Sequence, residues 1–381
     1  MDISKLKIDK RTWKPVKFGE IVSEPKEVCK NIVAEGIEHV VGLEHIDSGD
    51  LHLRKSANIE ESTTFTKKFR KGDVLFGRRR AYLKKAAQAE FDGICSGDIT
   101  VFRAKKDKLI PQLLPFIVNN DKFFDYAVKH SAGGLSPRVK FKDLANYEFL
   151  LPPKEEQAKL AELLWAMDDV IEKEKEVLDT FEVSLFSILK EKFKNIQQRT
   201  ELIKLCKEAP KYGANSPAIE YDNLIRYIRI TDIGKFGVLN AEKVSAQGHD
   251  DKYLLQYGDF LLARSADPGR SYYYKEKDGK CTHAGYLIKF TLDLNKILPE
   301  FLYFYTQTKE YEMWINQTTR KGTLSNINSK EFSRLKIPVI GVVQQRHIIG
   351  EINKLYEILV ELEIKVKSSQ SLQKSLINQI F

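Results

Sequence analysis

The sequence predicts a mixed α/β protein built as an internal repeat: two similar globular units joined by two long helices that pair as an antiparallel coiled coil. Three observations lead to this fold class. The 381 residues fit two ordinary globular units. Sequence landmarks recur in the same order about 186 positions apart, and two long segments carry a heptad pattern of apolar residues. An internal pseudo-two-fold axis is the expected consequence.

The repeat is visible in four pairs of landmarks. Its period is far longer than the roughly 20 to 50 residues of a solenoid, so the chain is expected to hold one duplicated module and not a stacked array. In the last pair, Pro338 and Gln344 are the residues that keep the first copy's pattern. The pairs are FRKGDVLFGRRR (69–80) with LLQYGDFLLARS (254–265), GICSGDITVF (93–102) with KCTHAGYLIKF (280–290), GGLSP (133–137) with GTLSN (322–326), and LLPPKEEQ (150–157) with KIPVIGVVQQ (336–345).

Each module follows the same order of elements. Short runs rich in β-branched and aromatic residues, separated by Gly and Asp turns, predict strands. One or two short amphipathic helices come next, and then a Gly and Ser loop, a strand-like end and a proline that begins the long helix. The predicted segments are a first globular unit at 1–151, a central helix at 152–199, a second globular unit at 200–337 and a C-terminal helix at 338–381.

Both long segments carry apolar residues at alternating steps of four and three. Such a seam, sustained for about four heptads, is typical of a coiled coil. We expect each helix to pair with the other copy in the same chain, and the alternative is that each seam packs as a core helix on its own globular unit. The predicted seam consists of Leu160, Leu164, Met167, Ile171, Leu178, Phe181 and Leu185, continuing to Ile188, and of Ile352, Leu355, Leu359, Leu362 and Val366.

Composition limits the class of protein. The net charge of +9 fits a polyanionic partner, because Lys and Arg contacts to phosphates release condensed counterions. The four cysteines form no Cys-x-x-Cys pair, so the sequence indicates neither a disulfide framework nor a zinc knuckle. No window reaches the roughly 18 apolar residues of a membrane span, and no secretion signal is recognisable at the N-terminus. We therefore expect a cytoplasmic protein with no membrane partner.

Motifs for catalysis are absent from the sequence. It contains no G-x-x-x-x-G-K-[ST] phosphate loop, no H-E-x-x-H metal motif and no Asn- or Asp-Pro-Pro-aromatic signature of adenine methylation. We therefore predict no catalytic residue, no metal site and no cofactor in this chain, and favour a binding function.

Basic and polar clusters at matched places in the two halves predict contacts to DNA. Guanidinium groups can fork onto guanine or phosphate, and Asn can bridge adenine. For any single residue the alternative is a solvated surface charge, and the sequence does not separate base contacts from phosphate contacts. The candidates are Arg78, Arg79, Arg80, Tyr82, Lys84, Lys85, Ser136, Arg138 and Lys140 in the first half, and Arg264, Arg270, Tyr272, Tyr273, Arg320, Lys321, Ser325, Asn326 and Asn328 in the second.

These features resemble the specificity (S) subunits of type I restriction-modification enzymes. The resemblance spans the whole chain and is carried by GDVLF and GDFLL, the Leu-Ser loops and the LLPPKEEQ phrase that opens a long helix. It implies two target recognition domains that each recognise half of a bipartite DNA site. It also implies that the helices set the spacer and dock two methyltransferase subunits, which carry S-adenosylmethionine, and that two ATP- and Mg-dependent restriction subunits can join.

Two other functions are compatible with the motif pattern. One is a self-contained DNA methyltransferase or nuclease with an unrecognised motif, which would act on DNA without partners. The other is a coiled-coil assembly scaffold that does not recognise a DNA sequence. The shared order of landmarks in both halves favours the specificity subunit over either.

Overall fold

The computed structural model describes residues 8–58, 64–248, 250–319 and 326–381. Its contacts divide the chain into two compact units. Unit 1 comprises residues up to 175 together with 364–381, and unit 2 comprises residues 176–363. Each long helix therefore contributes one part of its length to each unit. Because this division follows contacts and not the repeat, the predicted segment boundaries stay a prediction.

Unit 1 is built on a five-stranded sheet of order β2-β9-β6-β7-β4, with a three-stranded sheet β3-β8-β5 and an antiparallel pair β1-β10. Strands β1 to β10 are Lys14–Lys17, Val22–Ser23, Val40–Val41, His52–Leu53, Lys67–Phe69, Val74–Gly77, Ala86–Ala89, Gly93–Cys95, Ile99–Ala104 and Glu148–Leu151. The short helices α1 to α4 are Phe18–Ile21, Leu114–Val118, Asp121–Lys129 and Phe141–Leu144. The first long helix, α5, is Lys154–Lys194.

Unit 2 is built on a four-stranded sheet of order β12-β19-β16-β17, with the pairs β14-β18, β13-β15 and β11-β20. Strands β11 to β20 are Arg199–Glu201, Lys211–Tyr212, Ala218–Glu220, Arg226–Ile228, Val244–Ala246, Asp259–Ala263, Ser271–Tyr273, Cys281–His283, Leu287–Thr291 and Lys336–Pro338. Helices α6 to α8 are Pro299–Thr306, Lys309–Thr319 and Ser329–Ser333, and the second long helix, α9, is Val342–Ile380.

The first Gly-Asp pair closes the turn that leads into β6, the middle strand of its sheet. Gly72 has φ of +91°, a left-handed conformation that favours glycine. Asp73 is buried, accepts a hydrogen bond of 2.8 Å from the backbone N–H of Arg70, and pairs with Arg103 at 2.7 Å. The carboxylate is therefore satisfied inside the unit, and its function is structural.

The second Gly-Asp pair repeats this turn before β16. Gly258 has φ of +100°, and Asp259 is fully buried. The carboxylate of Asp259 accepts from the backbone N–H of Gln256 at 3.0 Å and from Thr291 Oγ1 at 2.6 Å, and Lys289 lies 3.4 Å away. The repeated motif thus encodes the same turn twice, with different partners for the same buried acid.

Gln157, the last residue of LLPPKEEQ, attaches the start of α5 to unit 1. Its buried side chain accepts from the backbone N–H of Ile110 at 2.9 Å and donates to the carbonyls of Lys108 at 3.2 Å and Pro152 at 3.0 Å. All three partners are backbone groups, so the amide fixes where the helix begins relative to the preceding loops.

Gln345 has the same function at the start of α9. It accepts from the backbone N–H of Leu298 at 2.9 Å and donates to the carbonyls of Lys296 and Ile340, each at 2.8 Å. Our match of Gln344 to the first copy is wrong by one position, because Gln344 is exposed while Gln345 is fully buried.

In unit 1 the two long helices run antiparallel and pack together. Gln373 Nε2 donates to Asp168 Oδ1 at 3.2 Å, and Lys365 Nζ lies 3.5 Å from Glu174. Residue numbers therefore increase along one helix as they decrease along the other. The seam residues of this unit are buried or partly buried: Leu160, Leu164, Met167, Ile171 and Val366.

In unit 2 segments of the same helices pack in the core of that unit, and Lys192 pairs with Glu351 at 2.5 Å. Near its C-terminus α5 departs from the predicted spacing: Leu189 and Phe193 are buried, whereas Ile188 is 36% exposed. The other predicted seam residues are buried or partly buried: Leu178, Phe181, Leu185, Ile352, Leu355, Leu359 and Leu362.

The helix pair and the core packing are therefore not exclusive. The pairing is confirmed within each unit. The helices also join each unit's hydrophobic core, through ring contacts such as Trp165 with Phe116 in unit 1 and Phe193 with Phe301 in unit 2. Within the described ranges, no helix is long and apolar enough to cross a membrane.

Candidate nucleic-acid interface

The end of strand β6 places the first arginine cluster at one edge of unit 1. The backbone N–H of Arg78 donates to the carbonyl of Asp98 at 3.0 Å, and the N–H of Val139 donates to the carbonyl of Arg78 at 3.0 Å. Arg78 Nε also donates to the carbonyl of Val139 at 3.2 Å. Arg78 thus connects β6 to two loops that are distant in sequence, and its own side chain stabilises that connection.

Arg79 and Arg138 share one carboxylate at this edge. Asp98 accepts from Arg138 Nε at 2.7 Å and from Arg79 Nη1 at 3.2 Å, and Arg79 Nη2 donates to Ser136 Oγ at 3.1 Å. The hydrogen bond from Arg138, followed by that from Arg79, lowers the pKa of Asp98, which therefore stays ionised at neutral pH. Two guanidinium groups against one carboxylate leave the cluster with net positive charge. Arg79 Nε is buried without a hydrogen-bond partner among the described residues.

Arg80 and Lys140 complete the positive edge. Arg80 is exposed, adopts φ of +53°, and donates its backbone N–H to the carbonyl of Pro137 at 2.9 Å. Lys140 is exposed at the residue before α4. A non-glycine residue with positive φ is uncommon, and such conformations cluster at functional sites.

The next three candidates differ in what their side chains contact. Tyr82 is 54% exposed. Lys84 Nζ pairs with Asp121 at 2.7 Å, and Lys85 Nζ donates to the carbonyl of Leu43 at 2.7 Å. The two lysines are therefore engaged inside unit 1, whereas Tyr82 presents its ring to solvent.

Unit 2 repeats the backbone of this edge. The N–H of Arg264 donates to the carbonyl of Tyr286 at 2.9 Å, and the N–H of Ile327 donates to the carbonyl of Arg264 at 2.8 Å. These bonds match those of Arg78 in unit 1. Ala266 adopts φ of +63°, as Arg80 does at the corresponding place. The two units thus present the same structural edge.

The side chains on the second edge are different. Arg264 Nε donates to Asn326 at 3.1 Å, and its guanidinium lies 5.3 Å from the ring centroid of Tyr212. Tyr286 occupies the place of Asp98 and is 61% exposed. The second edge therefore carries aromatic and amide groups where the first carries a carboxylate and further arginines.

An apolar cavity of about 390 Å³ adjoins the second edge. Tyr227, Arg229, Ala266 and Tyr286 contribute to its lining. Sequence analysis missed Tyr212 and Tyr286, because their proximity to Arg264 depends on strand pairing, and it missed Arg229 of the cavity lining. The one available signal for Tyr286 was its position in the repeat, two residues from the place expected at the constant period.

Two further candidates of the second half have contacts inside unit 2. Arg270 pairs with Asp267 at 2.6 Å and donates to the carbonyl of Ile233 at 3.0 Å, with 41% of its side chain exposed. Tyr273 is partly buried, and its ring lies 5.5 Å from that of Tyr303. Both side chains therefore contact other residues of unit 2.

The prediction that Tyr272 contacts DNA is wrong. Its side chain is fully buried, and its hydroxyl donates to Asp278 at 2.8 Å. Tyr272 belongs to β17, where side chains alternate between the two faces of the strand. A tyrosine in the hydrophobic core has no access to a duplex.

The exposed side chain of Asn328 has a structural function in unit 2, and its predicted contact with adenine stays a prediction. Its Oδ1 accepts from the backbone N–H groups of Lys330 and Glu331, at 2.9 and 3.0 Å, and the Glu331 side chain accepts from the N–H of Asn328 at 2.8 Å. This reciprocal arrangement is a capping box at the start of α8. Arg320, Lys321 and Ser325 lie outside the described residues.

Comparison with known proteins agrees with the repeat. The family model described as "Type I restriction modification DNA specificity domain" matches residues 10–182 and again residues 190–369. The type I restriction enzyme EcoDI specificity subunit of Escherichia coli is 32% identical over 120 residues, which are 30% of this chain and 26% of that protein. This match spans about a quarter of the curated relative.

Two solved structures share the fold. A chain from work on complex assembly and conformational transition of the type I R-M system has a TM-score of 0.59 at 20% identity, covering 97% of this chain and 96% of the other. The S subunit of a type I restriction-modification system from M. genitalium has a TM-score of 0.54 at 14% identity, covering 99% of this chain and 98% of the other.

These matches confirm the resemblance drawn from the sequence and give no support to a self-contained enzyme or to a scaffold without a DNA function. Both family matches include an edge with the same backbone bonds, at Arg78 in the first copy and at Arg264 in the second. With two copies of the type I restriction modification DNA specificity domain along its length, the chain belongs to that family.

Proposed function

We propose that this protein is the DNA-recognition subunit of a type I restriction-modification enzyme, and that each unit recognises one half of a bipartite target. The observation that carries the proposal is the matched edge: the same backbone bonds hold Arg78 in unit 1 and Arg264 in unit 2. Two half-sites on duplex DNA require two recognition surfaces, which a duplicated module supplies.

The different side chains on the two edges support different half-sites. Arg79, Arg80 and Arg138 offer guanidinium groups, which fork onto guanine O6 and N7 or onto phosphates. The second edge offers Arg264 beside Asn326 and the exposed ring of Tyr286. We expect the two units to recognise unlike base sequences.

The long helices set the unread spacer and dock the partner subunits. On α5, Leu163, Val170 and Val177 recur every seven residues and are 42%, 51% and 53% exposed. Heptad-spaced apolar residues exposed to water favour a partner helix. We propose that this outer stripe (Leu163, Val170 and Val177) belongs to the surface that binds the methyltransferase subunits.

The catalytic chemistry belongs to the partners in this proposal. Two methyltransferase subunits supply S-adenosylmethionine, and two restriction subunits supply the ATP- and Mg-dependent steps, while this chain supplies sequence recognition and no cofactor. Incubation of the purified chain with DNA and S-adenosylmethionine, or with ATP and Mg, is expected to give neither methylation nor cleavage. Either product would favour a self-contained enzyme.

The first edge is tested with Arg79→Ala combined with Arg80→Ala in the assembled complex. Each phosphate contact contributes about 0.9 to the slope of log affinity against log salt, so losing two contacts lowers the slope by about 2. The measurement is DNA binding over a salt series, with methylated-base sequencing to report the half-site bases. Lys26→Ala with Lys30→Ala, two exposed lysines outside the cluster, removes the same charge as a control. Unchanged DNA affinity and salt slope in the arginine variant would exclude this edge as a DNA-contacting surface.

A further inference from the structure

A large cavity of unit 2 has walls that suit a cation. It measures about 850 Å³ and lies between the end of β17, helix α6, the loop at 236–238 and one face of α9. Of the residues predicted from the sequence to contact DNA, it includes Tyr273 alone. The cavity and the candidate nucleic-acid interface are therefore formed by largely different residues.

The floor of this cavity is a continuous aromatic surface. The ring of Tyr356 lies 5.3 Å from that of Phe236 and 5.3 Å from that of Phe304, while Tyr303 lies 5.5 Å from Tyr273. These contacts join α9, α6, β17 and the 236–238 loop, so the rings are held in place before any ligand binds. Aromatic faces attract ammonium and guanidinium groups through the ring quadrupole.

One lysine of unit 2 already uses this surface. Lys275 Nζ lies 4.7 Å from the ring centroid of Tyr273 and donates to the carbonyl of Gly237 at 2.6 Å. Burial lowers the pKa of Lys275. The cation is accommodated because an aromatic face and a carbonyl replace its water, and the remaining rings of the floor offer the same kind of surface.

The rim of the cavity carries carboxylates without partners. Glu357 and Glu361 are exposed on successive turns of α9, where like charges four residues apart destabilise a helix by a few tenths of a kcal/mol. In the described part of the chain, the side-chain carboxylate of neither residue has a hydrogen bond or an ion pair. Glu300 and Glu276 also line the cavity, so its four carboxylates outnumber its two lysines in a protein whose net charge is +9.

Tyr356 adds a hydrogen-bond donor with no acceptor. Its hydroxyl oxygen is buried and has no hydrogen-bond partner among the described residues. Burial raises the pKa of Tyr356 well above neutrality, so the hydroxyl keeps its proton. A buried donor without an acceptor costs free energy, and a bound group with a carbonyl oxygen would satisfy it.

We propose that this cavity binds an arginine or lysine side chain presented by a protein segment. The aromatic floor stacks against the cation, Glu357 and Glu361 neutralise it, and the Tyr356 hydroxyl donates to a backbone carbonyl of the same segment. Phosphate is disfavoured by the acidic rim. A polypeptide supplies both the cation and the carbonyl, whereas a simple polyamine supplies only the cation.

The test uses the full chain and two short peptides, acetyl-Leu-Arg-Leu-amide and its citrulline analogue, which has nearly the same shape without the charge. Saturation-transfer NMR is expected to detect binding of the arginine peptide and at least about tenfold weaker binding of the citrulline peptide. Glu357→Gln with Glu361→Gln should weaken the arginine peptide by about tenfold, and Tyr356→Phe should weaken both peptides. Equal binding of the two peptides, or an unchanged affinity in the double glutamine variant, would overturn the proposal.

Two controls test whether binding is specific to this cavity and to a polypeptide. Glu162→Gln with Glu176→Gln removes the same charge from exposed positions of α5 and should leave peptide binding unchanged. Spermidine serves as the polyamine probe, and glutamate-dependent binding tighter than that of the peptide would assign the cavity to polyamines and refute a protein segment. DNA binding by the glutamine variant should be unchanged, so failure of this inference is distinguishable from failure of the proposed function.

Discussion

His52 connects the sheet of unit 1 to the first long helix at the scale of single residues. It belongs to β4, and its Nε2 lies 2.6 Å from Asp168 Oδ2 on α5, while its Nδ1 lies 2.7 Å from Glu90. Two residues along, Arg54 pairs with Glu172 of α5 at 2.6 Å. The strand and the helix are thus joined by two charged contacts one helical turn apart.

The pH dependence of unfolding should report the His52 contact. The hydrogen bond to Asp168, with help from Glu90, raises the pKa of His52 from 6.5 to about 9 in the folded protein. A raised pKa stabilises the fold fully below about pH 6.5, and this stabilisation is lost as pH rises through 9. The urea midpoint of the wild type should therefore fall between these values more than that of His52→Gln.

His283 provides the control for this experiment. Burial lowers its pKa to about 4, so it is neutral throughout the same interval. His283→Gln should therefore leave the slope of the urea midpoint between pH 6.5 and 9 as in the wild type. Identical slopes for the wild type and His52→Gln would show that the His52 contact does not contribute to stability.

At the scale of elements, each long helix has in its first turn a buried glutamine whose side chain hydrogen-bonds to three backbone groups. Replacing Gln157 or Gln345 with Met keeps the volume but leaves those groups without partners. An unsatisfied buried polar group costs about 1–3 kcal/mol, so we expect a loss of at least that size in the free energy of unfolding. Calorimetry should show the loss in unit 1 for Gln157→Met and in unit 2 for Gln345→Met.

Gln344→Met is the control that distinguishes loss of these side-chain hydrogen bonds from a general effect of replacing glutamine with methionine. Gln344 is the neighbouring residue that the sequence pattern favoured, and it is exposed. We expect no change in the calorimetric transitions for this variant. A similar loss in the free energy of unfolding for Gln344→Met and Gln345→Met would show that the hydrogen bonds of Gln345 do not stabilise unit 2.

The outer stripe of α5 is a second feature at this scale. Val170→Lys with Val177→Lys places two charges where we propose that a partner helix packs, and it leaves both buried cores untouched. Copurification with methyltransferase subunits should be lost while the unfolding transitions stay the same. Val343→Lys, at an exposed valine of α9 outside the stripe, should not affect assembly. Normal assembly of the double variant would exclude the stripe as the docking surface.

At the scale of the whole molecule, the proposed function divides recognition from spacing. Inserting one heptad into α5 near Glu174 keeps the seam in register but adds about 10 Å of helix at 1.5 Å per residue. We expect the insertion to lengthen the tolerated spacer or to abolish activity. Methylated-base sequencing should still report the same half-site bases. Recognition of new half-site bases by the insertion variant would contradict the assignment of base recognition to the two units and of spacing to the helices.

The organisation of the chain was predictable because an internal repeat and a heptad period are properties of the amino-acid sequence itself. Two copies of one module, the Gly-Asp turns and the apolar seam all appeared from spacing alone. The seam was predicted well up to Leu185. It failed at Ile188 because Leu189 and Phe193 are buried in the core of unit 2 instead, where Phe193 packs against Phe301 of α6.

The use of individual polar residues was less predictable. Arg79 and Arg138 were chosen for charge, but only the fold brings them to the same carboxylate, Asp98. Tyr272 and Asn328 look like recognition residues in sequence, yet one lies in the core and the other caps a helix. Residue type alone does not distinguish a group that contacts a ligand from one that satisfies its own backbone.

The sequence by itself determined that this protein is a duplicated module with two heptad helices, since those properties depend on the order and period of residues. Only the tertiary structure decided where the two edges lie, that Gln345 and not Gln344 attaches the start of the second long helix to unit 2, and that an aromatic cavity with an acidic rim forms beside α9. The physical reason is that side-chain burial and hydrogen bonding depend on contacts between residues far apart in the chain, whose partners no local pattern specifies.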